Sequence, residues 1–503
     1  MTEHQSPPRW LRIRHPAWVL LLSGVAACAR TPPPDGAVPA EAGCVLAAAP
    51  AANATGRRGA AGTGAWSSAG PGAPALVVGL PGKVDPAHAP VPRTEAERTV
   101  FAQMYQTLVA VDCRGEVRPA LASSWEAADQ GRRWTFHLRP ARAWNGAVVG
   151  AADVAQSMVA AGIDALRAIA VVDDRTLELE LSVPVTAAFF ARPALAVTLA
   201  DSAEGWPMGT GPYQPTSSPT FGTSGTVWLV SGSGGEVEFR TVAGDPRNAV
   251  DAGVDLLVTR DPATIEYAAA TGGYRSAPLP WNRVYLLLAP GDPWQGRVVA
   301  PTDGGLEALA RDAVREQARP APFSVADVDR CAPVAVPEWP DTAVVERRDT
   351  TRARTAPGAG LESPPGERPI VYPVGDAAAS ALAQRLVALA RAGNGPPWVP
   401  AAGTGSSLIA RGLPAEAFDD ALERGDGTAF LFAVRHTAAA DPCDLVAEVE
   451  RRAPWARVSE LVPLVETRAT ALLRDGVAGL AGVTVDGAGT LHLRPVFGTG
   501  PRP

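Results

Sequence analysis

From residue 75 onward short apolar runs alternate with stretches of helical patterning, and this interleaving restricts the chain to an α/β architecture. Ala75 to Leu80 reads as a short buried strand closed by Pro81-Gly82. From Glu95 to Val109, residues Val100, Phe101, Met104, Tyr105, Leu108 and Val109 fall on one helical face. Trp134 to Leu138 alternates as a half-buried strand, and Leu177, Leu179 and Leu181 alternate with Glu178 and Glu180 after an Asp173-Asp174 turn. Further helices are expected at 151–160, 304–318, 376–392 and 414–424. No repeat with a period of about 20–50 residues is present, which excludes a solenoid.

The N-terminus sets the compartment. Arg9, Arg12, Arg14 and His15 make a positive region, and Ala17 to Ala27 supply an apolar stretch shorter than the ~18 residues a spanning helix needs. Residues 1–28 therefore read as a signal peptide. Its end, Val25-Ala26-Ala27-Cys28, resembles a bacterial lipobox, which implies that Cys28 is acylated and that the mature chain is lipid-anchored outside the cytoplasm, in the periplasm or at the cell surface. Ordinary secretion with a chance cysteine is the alternative. Residues 29–74, with Pro32-Pro33-Pro34 and repeated Ala and Gly, lack the large side chains that would offset ordering entropy and read as a flexible tether.

Composition excludes some classes. Forty-five basic against 52 acidic residues leave a net charge of −7, which argues against nucleic-acid binding. The six histidines never fall at H-x-x-x-H or H-E-x-x-H spacing, so a zinc hydrolase has no support, and no other metal or cofactor is expected. Gly82-Lys83 lacks the flanking residues of a P-loop, and no G-x-S-x-G elbow occurs, so no enzymatic activity is expected. Besides Cys28 there are Cys44, Cys113, Cys331 and Cys443, an even set that permits three full pairings in an oxidising compartment. The pairing expected is Cys331 with Cys443, both in the second half, and Cys44 with Cys113, with free buried thiols as the alternative.

A series of short motifs then occurs in a telling order. Gly79-Leu80, Val84-Asp85-Pro86, Met104 to Val109 and Pro119 to Glu126 lead to Trp134 to Pro140, Asn145-Gly146, Ala152 to Ser157, Asp174 to Leu177 and Met208 to Tyr213. In that order they resemble the family 5 solute-binding proteins of ABC importers, the group with oligopeptide-, dipeptide- and nickel-binding members. Past residue 213 the likeness thins to Ala252 to Leu256, Phe418 to Gly425, Asp441-Pro442 and Leu461 to Leu464, and the chain departs from the family pattern at Ala289-Pro290 and over Leu306 to Ala313. A few dozen residues the family normally has between Val446 and Leu461 are missing.

The resemblance implies a two-lobed periplasmic-binding-protein-like fold of class II, in its large family 5 form with an extra small subdomain. Lobe I is expected at 75–269, with the subdomain near 102–169. A reduced lobe II is expected at 270–458, with a flexible loop at 346–369, and 459–503 returns to lobe I. It also implies a small polar solute or peptide held between the lobes, ABC permease subunits as partners, a membrane contact through the lipid anchor, and a monomer. The candidate ligand-binding residues are Trp281, Asn282 and Tyr285, where the chain crosses between lobes, and Arg435, His436 and Asp441, in a loop that faces the cleft in relatives. Packing of the hinge is the competing reading for the first three, and a surface loop for His436. Ala438, Ala439 and Ala440 stand where peptide binders carry an acid for the peptide amine, which speaks against ordinary peptide binding. A degenerate relative that keeps the fold for partner binding or sensing, without solute delivery, is the second function read from the sequence.

Overall fold

The computed structural model describes residues 44–46, 76–163, 165–203, 205–216, 226–232, 235–242, 244–289, 318–323, 327, 331, 367–391, 407–425, 429–436, 442–456 and 461–493. Cys28, Asp441, Ala438 and nearly all of the helix expected at 304–318 lie outside them; residue 318 opens the short strand Ala318–Pro320.

One large mixed sheet forms the frame. Its strands run in the order Tyr213–Pro215, Thr226–Ser231, Glu236–Thr241, Leu76–Leu80, Leu256–Thr259, Leu461–Arg474, Tyr274–Leu288, Ala429–Arg435, Glu367–Pro373 and Ser407–Leu413, with Ala318–Pro320 paired to Leu461–Arg474. Leu76–Leu80 is parallel to both of its neighbours, as is Glu367–Pro373. Leu76–Leu80 reads as a continuous apolar run, and Glu367–Pro373 buries its middle residues Pro369, Ile370 and Val371. Residues 367–369, expected to end a flexible loop, instead pair with Ser407, Leu408 and Ile409, because the apolar run that follows them is buried on both sides.

Two long strands carry the chain between the lobes. Tyr274–Leu288 begins beside the C-terminal half of Leu461–Arg474, in a core built with Leu76, Val78, Phe101, Phe239 and Leu256, and ends beside Ala429–Arg435 among Phe418, Phe430 and Leu445. Midway the ladder breaks register between Pro278 and Trp281 and again before Arg283. Pro278 and Pro280 have no N–H to donate, so pairing is interrupted at the crossover.

The small subdomain is a separate four-stranded antiparallel sheet, in the order Ala122–Ala128, Arg133–Leu138, Thr176–Leu181 and Leu166–Asp173. Helix Ala151–Ala160 packs on it, and Trp134, Phe136, Leu177, Leu179 and Phe190 share its core. His137 contacts Thr176 Oγ1 at 3.3 Å across this sheet, a structural role.

The helix expected over Glu95 to Val109 stops at Met104. Tyr105 is extended, and the Met104 carbonyl accepts from Gly211 N–H at 2.9 Å rather than from the next turn. A Cβ on Gly211 would stand 2.4 Å from the Met104 carbonyl carbon, so the Gly209-Thr210-Gly211 turn serves this close approach within lobe I rather than a crossing between lobes.

Two disulfides are present. Cys331 and Cys443 join with Cα atoms 5.1 Å apart, and Cys44 joins Cys113 with Cα atoms 5.5 Å apart. The second fastens the middle of the segment read as a tether: Leu46 N–H donates to Val483 O, and Val485 N–H donates to Cys44 O. Among the described residues no helix is long and apolar enough to cross a membrane.

Candidate functional site

The site grows from the first turn of helix Glu95–Met104. Thr94 and Glu97 form a reciprocal cap, the Thr94 hydroxyl accepting from Glu97 N–H and the Glu97 carboxylate accepting from Thr94 N–H, each at 3.1 Å. Arg93 N–H at 2.7 Å and His88 Nδ1 at 2.7 Å also contact that carboxylate. A helix start held this firmly fixes the direction of Glu95 and Arg98, which point toward the other lobe.

Glu95 gathers three guanidinium groups. Arg260 lies 3.5 Å from Oε1, Arg283 3.5 Å from Oε2 and Arg435 3.6 Å from Oε1. Arg260 follows a lobe I strand, whereas Arg283 and Arg435 sit on the paired strands that enter lobe II, so one carboxylate ties the lobes together. Burial disfavours the charge on Glu95, but Arg260, Arg283 and Arg435 outweigh it and hold the carboxyl at about 2. Arg283 also reaches Asp376 at 3.6 Å, and the Tyr285 hydroxyl donates to Asp376 at 2.7 Å. Burial raises the Tyr285 phenol above its ordinary range.

The structure places the sequence-derived candidates at unequal distances from this centre. Asn282, 1% exposed, accepts from Arg260 Nη2 at 2.8 Å and donates to the Ala488 carbonyl at 2.5 Å, while its own carbonyl accepts from His436 N–H at 3.0 Å. It is a tie across the crossover. Tyr285 is fully buried in the lobe II core. Trp281 is stacked between Arg319 and Arg468, 4.5 and 4.6 Å from its ring. His436 is buried with Nε2 2.5 Å from Glu466 Oε1, a close approach off hydrogen-bond alignment, and Phe323 meets its ring edge-on. Arg435 donates to the Ala488 carbonyl at 2.9 Å and, of the five candidates among the described residues, is the one that lines the cavity described next.

That cavity, of about 10 Å³, lies between Glu95, Arg98, Thr99 and Val258 on one side, Arg435 on another, and the turn Gly489-Thr490-Leu491. Gly489 has φ +74°, and a Cβ there would stand 2.4 Å from the Asn282 amide nitrogen, so glycine lets the backbone itself form that wall. Burial, followed by repulsion from Arg98, lowers the Arg435 guanidinium to about 10. Glu95, Arg98, Arg260 and Arg283 were not singled out from the sequence. Thr94-Glu95-Ala96-Glu97 did carry the cap signature that sets Glu95 in a first turn, but nothing local shows three arginines converging on it. Among the described residues no group of three or more His, Cys, Asp or Glu is placed to hold a metal ion.

Residues 116–228 match the model of the bacterial extracellular solute-binding proteins, family 5 Middle. Over 65 residues the chain is 38% identical to the probable deoxycholate-binding periplasmic protein YgiS of Escherichia coli (strain K12), a match spanning 13% of this chain and 12% of that protein. Among solved structures, NikA from Brucella suis in complex with Fe(III)-EDTA superposes with a TM-score of 0.54 at 16% identity, covering 83% of this chain and 99% of that one. AgaA from A. tumefaciens R10 in complex with agropinic acid gives 0.53 at 18% identity, with 83% and 98% covered. DppA from Helicobacter pylori in complex with the peptide STSA gives 0.52 at 15%, again with 83% and 98% covered. Residues 116–228 are thus similar to the middle segment of the family 5 solute-binding proteins, and the chain has the two-lobed α/β fold seen in NikA, AgaA and DppA.

Proposed function

We propose that the protein captures a small polar solute between its lobes and presents it to the permease of an ABC importer. The observation that carries this reading is the meeting of Glu95 and Arg98 from one lobe with Arg435 from the other around a small cavity, with Arg260 and Arg283 held on the same Glu95 carboxylate. A ligand touching both sides favours the closed arrangement, and the interrupted ladder at Pro278 to Arg283 is where two paired strands can bend. The cavity measures about 10 Å³, room for about one water molecule, so with the lobes as they stand it admits only a small group of a solute and not a peptide. Protein purified without denaturation is expected to release a small molecule when denatured, and to become more compact in solution scattering when that molecule is returned. A chain that releases nothing and never compacts would remove the reading.

One observation favours the second function, a relative kept for partner binding or sensing: Tyr285, a ligand-stacking candidate, is sealed in the lobe II core. The same two measurements decide between the readings.

We further infer that Cys28 is acylated and anchors a monomeric binding domain outside the cytoplasm. Two acyl chains hold a protein stably at a bilayer, since each buried CH₂ contributes ~0.8 kcal/mol. Cys28→Ser is expected to move the protein from the membrane to the soluble fraction and to remove the acyl mass. Unchanged membrane association in that variant would refute the anchor.

A further inference from the structure

Arg98 is the cation at this site that the described residues leave over. Its Nε is buried without a hydrogen-bond partner, and no carboxylate among the described residues lies within salt-bridge distance of its guanidinium. The neighbouring acids are engaged elsewhere. Glu95 is shared by Arg260, Arg283 and Arg435. Asp486 accepts from the N–H groups of Ala488 and Thr490 at 2.9 and 2.7 Å and faces His492 at 3.2 Å. Glu448 pairs with Arg451 on its own helix.

Arg98 and Arg435 therefore face one cavity from opposite lobes as two like charges, and the backbone of Gly489 and Thr490 closes it. Burying the Arg98 Nε without a partner is costly, and a carboxylate that bridges the Arg98 and Arg435 guanidinium groups through charge-assisted hydrogen bonds offsets that cost. We propose that the captured solute is an organic carboxylate and that one of its carboxylate groups enters the cavity between Arg98 and Arg435. The inference rests on the solute-binding reading above and deepens it. Burial lowers the basicity of Arg98, as expected for a cation waiting for an anion. The anion also supplies a closing force, because it turns repulsion between Arg98 on lobe I and Arg435 on lobe II into attraction through a shared partner.

The test is calorimetry and thermal shift on the full chain at constant ionic strength, with acetate, succinate and citrate set against the neutral acetamide and succinamide. At least one acid is expected to bind and raise the melting temperature, with no response to its amide. Arg98→Gln is expected to weaken that acid at least tenfold while the ligand-free melting temperature stays level or rises, because an unpaired buried charge is gone. Arg98→Lys, which keeps the charge without the fork, is expected to fall between. Failure of all three acids to bind, equal binding of acid and amide, or an unchanged affinity in Arg98→Gln would each overturn the inference. If an uncharged solute is nevertheless released from the purified protein, solute capture stands and the carboxylate assignment falls. If no solute is released and none binds, both fall.

Discussion

Glu95→Gln is expected to lower the folding stability by about 3 kcal/mol at neutral pH, the scale for removing one member of a buried ionic cluster. The variant keeps the size of the side chain and its place in the capped first turn, so the loss isolates charge. Arg260, Arg283 and Arg435 would then face one another with their common anion gone. The dependence on pH follows from the same contacts. Glu95 is held at about 2 in the folded chain against an ordinary 4.5, so the folded state binds the proton less readily than the unfolded one. The stabilisation is present in full above pH 4.5 and is lost as the pH falls from there toward 2. Urea titrations at pH 7 and pH 3 should show the gap between wild type and Glu95→Gln narrowing at the lower pH. Equal midpoints at pH 7 would mean that the three arginines are as well placed without the carboxylate. Because the variant leaves Arg98 and Arg435 in place, any loss of carboxylate binding it showed would report the fixed geometry of the cluster rather than its net charge.

How much of this was legible in the sequence depends on the range over which each signal acts. The strand at Leu76–Leu80 and the helices Ala151–Ala160, Ala377–Arg391 and Ala415–Arg424 lie within a residue or so of where periodicity places them, because each has an apolar face that local patterning records. Helix Glu95–Met104 is shorter than its apolar face implied, since Tyr105, Leu108 and Val109 are buried by packing against the subdomain rather than by continuing the helix. The ordered motifs pointed to the observed fold, and one of them sits at a backbone-constrained point, Gly211 against Met104. The site was harder to read. Trp281, Asn282 and Tyr285 lie on the strand Tyr274–Leu288, yet Arg283 between them, which meets both Glu95 and Asp376, reads in the sequence as one residue of a strand. Its partners lie far along the chain in both directions, and they meet only because two long strands run through both lobes. Arg98 illustrates the same limit, since its lack of a partner is a property of the assembled cleft and leaves no mark in the sequence around it.

Replacing both Cys331 and Cys443 by serine is expected to cost about 2–4 kcal/mol, the usual range for a native disulfide. The bridge spans 112 residues, and on the chain-entropy account a loop of that length lies at the upper end of that range or somewhat above it. Its position adds to the expectation. Cys443 opens the helix Pro442–Arg452, whose Leu445, Val446 and Val449 pack in one lobe II core with Phe430, Phe432 and Leu461, and Cys331 lies against the same cluster. A covalent closure here adds to that packing by restricting the unfolded chain. The double variant avoids leaving one thiol free to form a mixed disulfide, and it should unfold at lower denaturant in lobe II first. Tryptophan fluorescence reads this directly, because Trp455 packs against Phe430 and donates to the Leu422 carbonyl at 2.6 Å within lobe II. Trp134 lies in the subdomain core and gives a separate signal through far-ultraviolet and near-ultraviolet dichroism of the remaining fold. A double variant whose melting temperature and lobe II signal match the wild type would show that the core around Phe418, Phe430 and Leu445 is sufficient without the cross-link, and that lobe II is stabilised by packing alone.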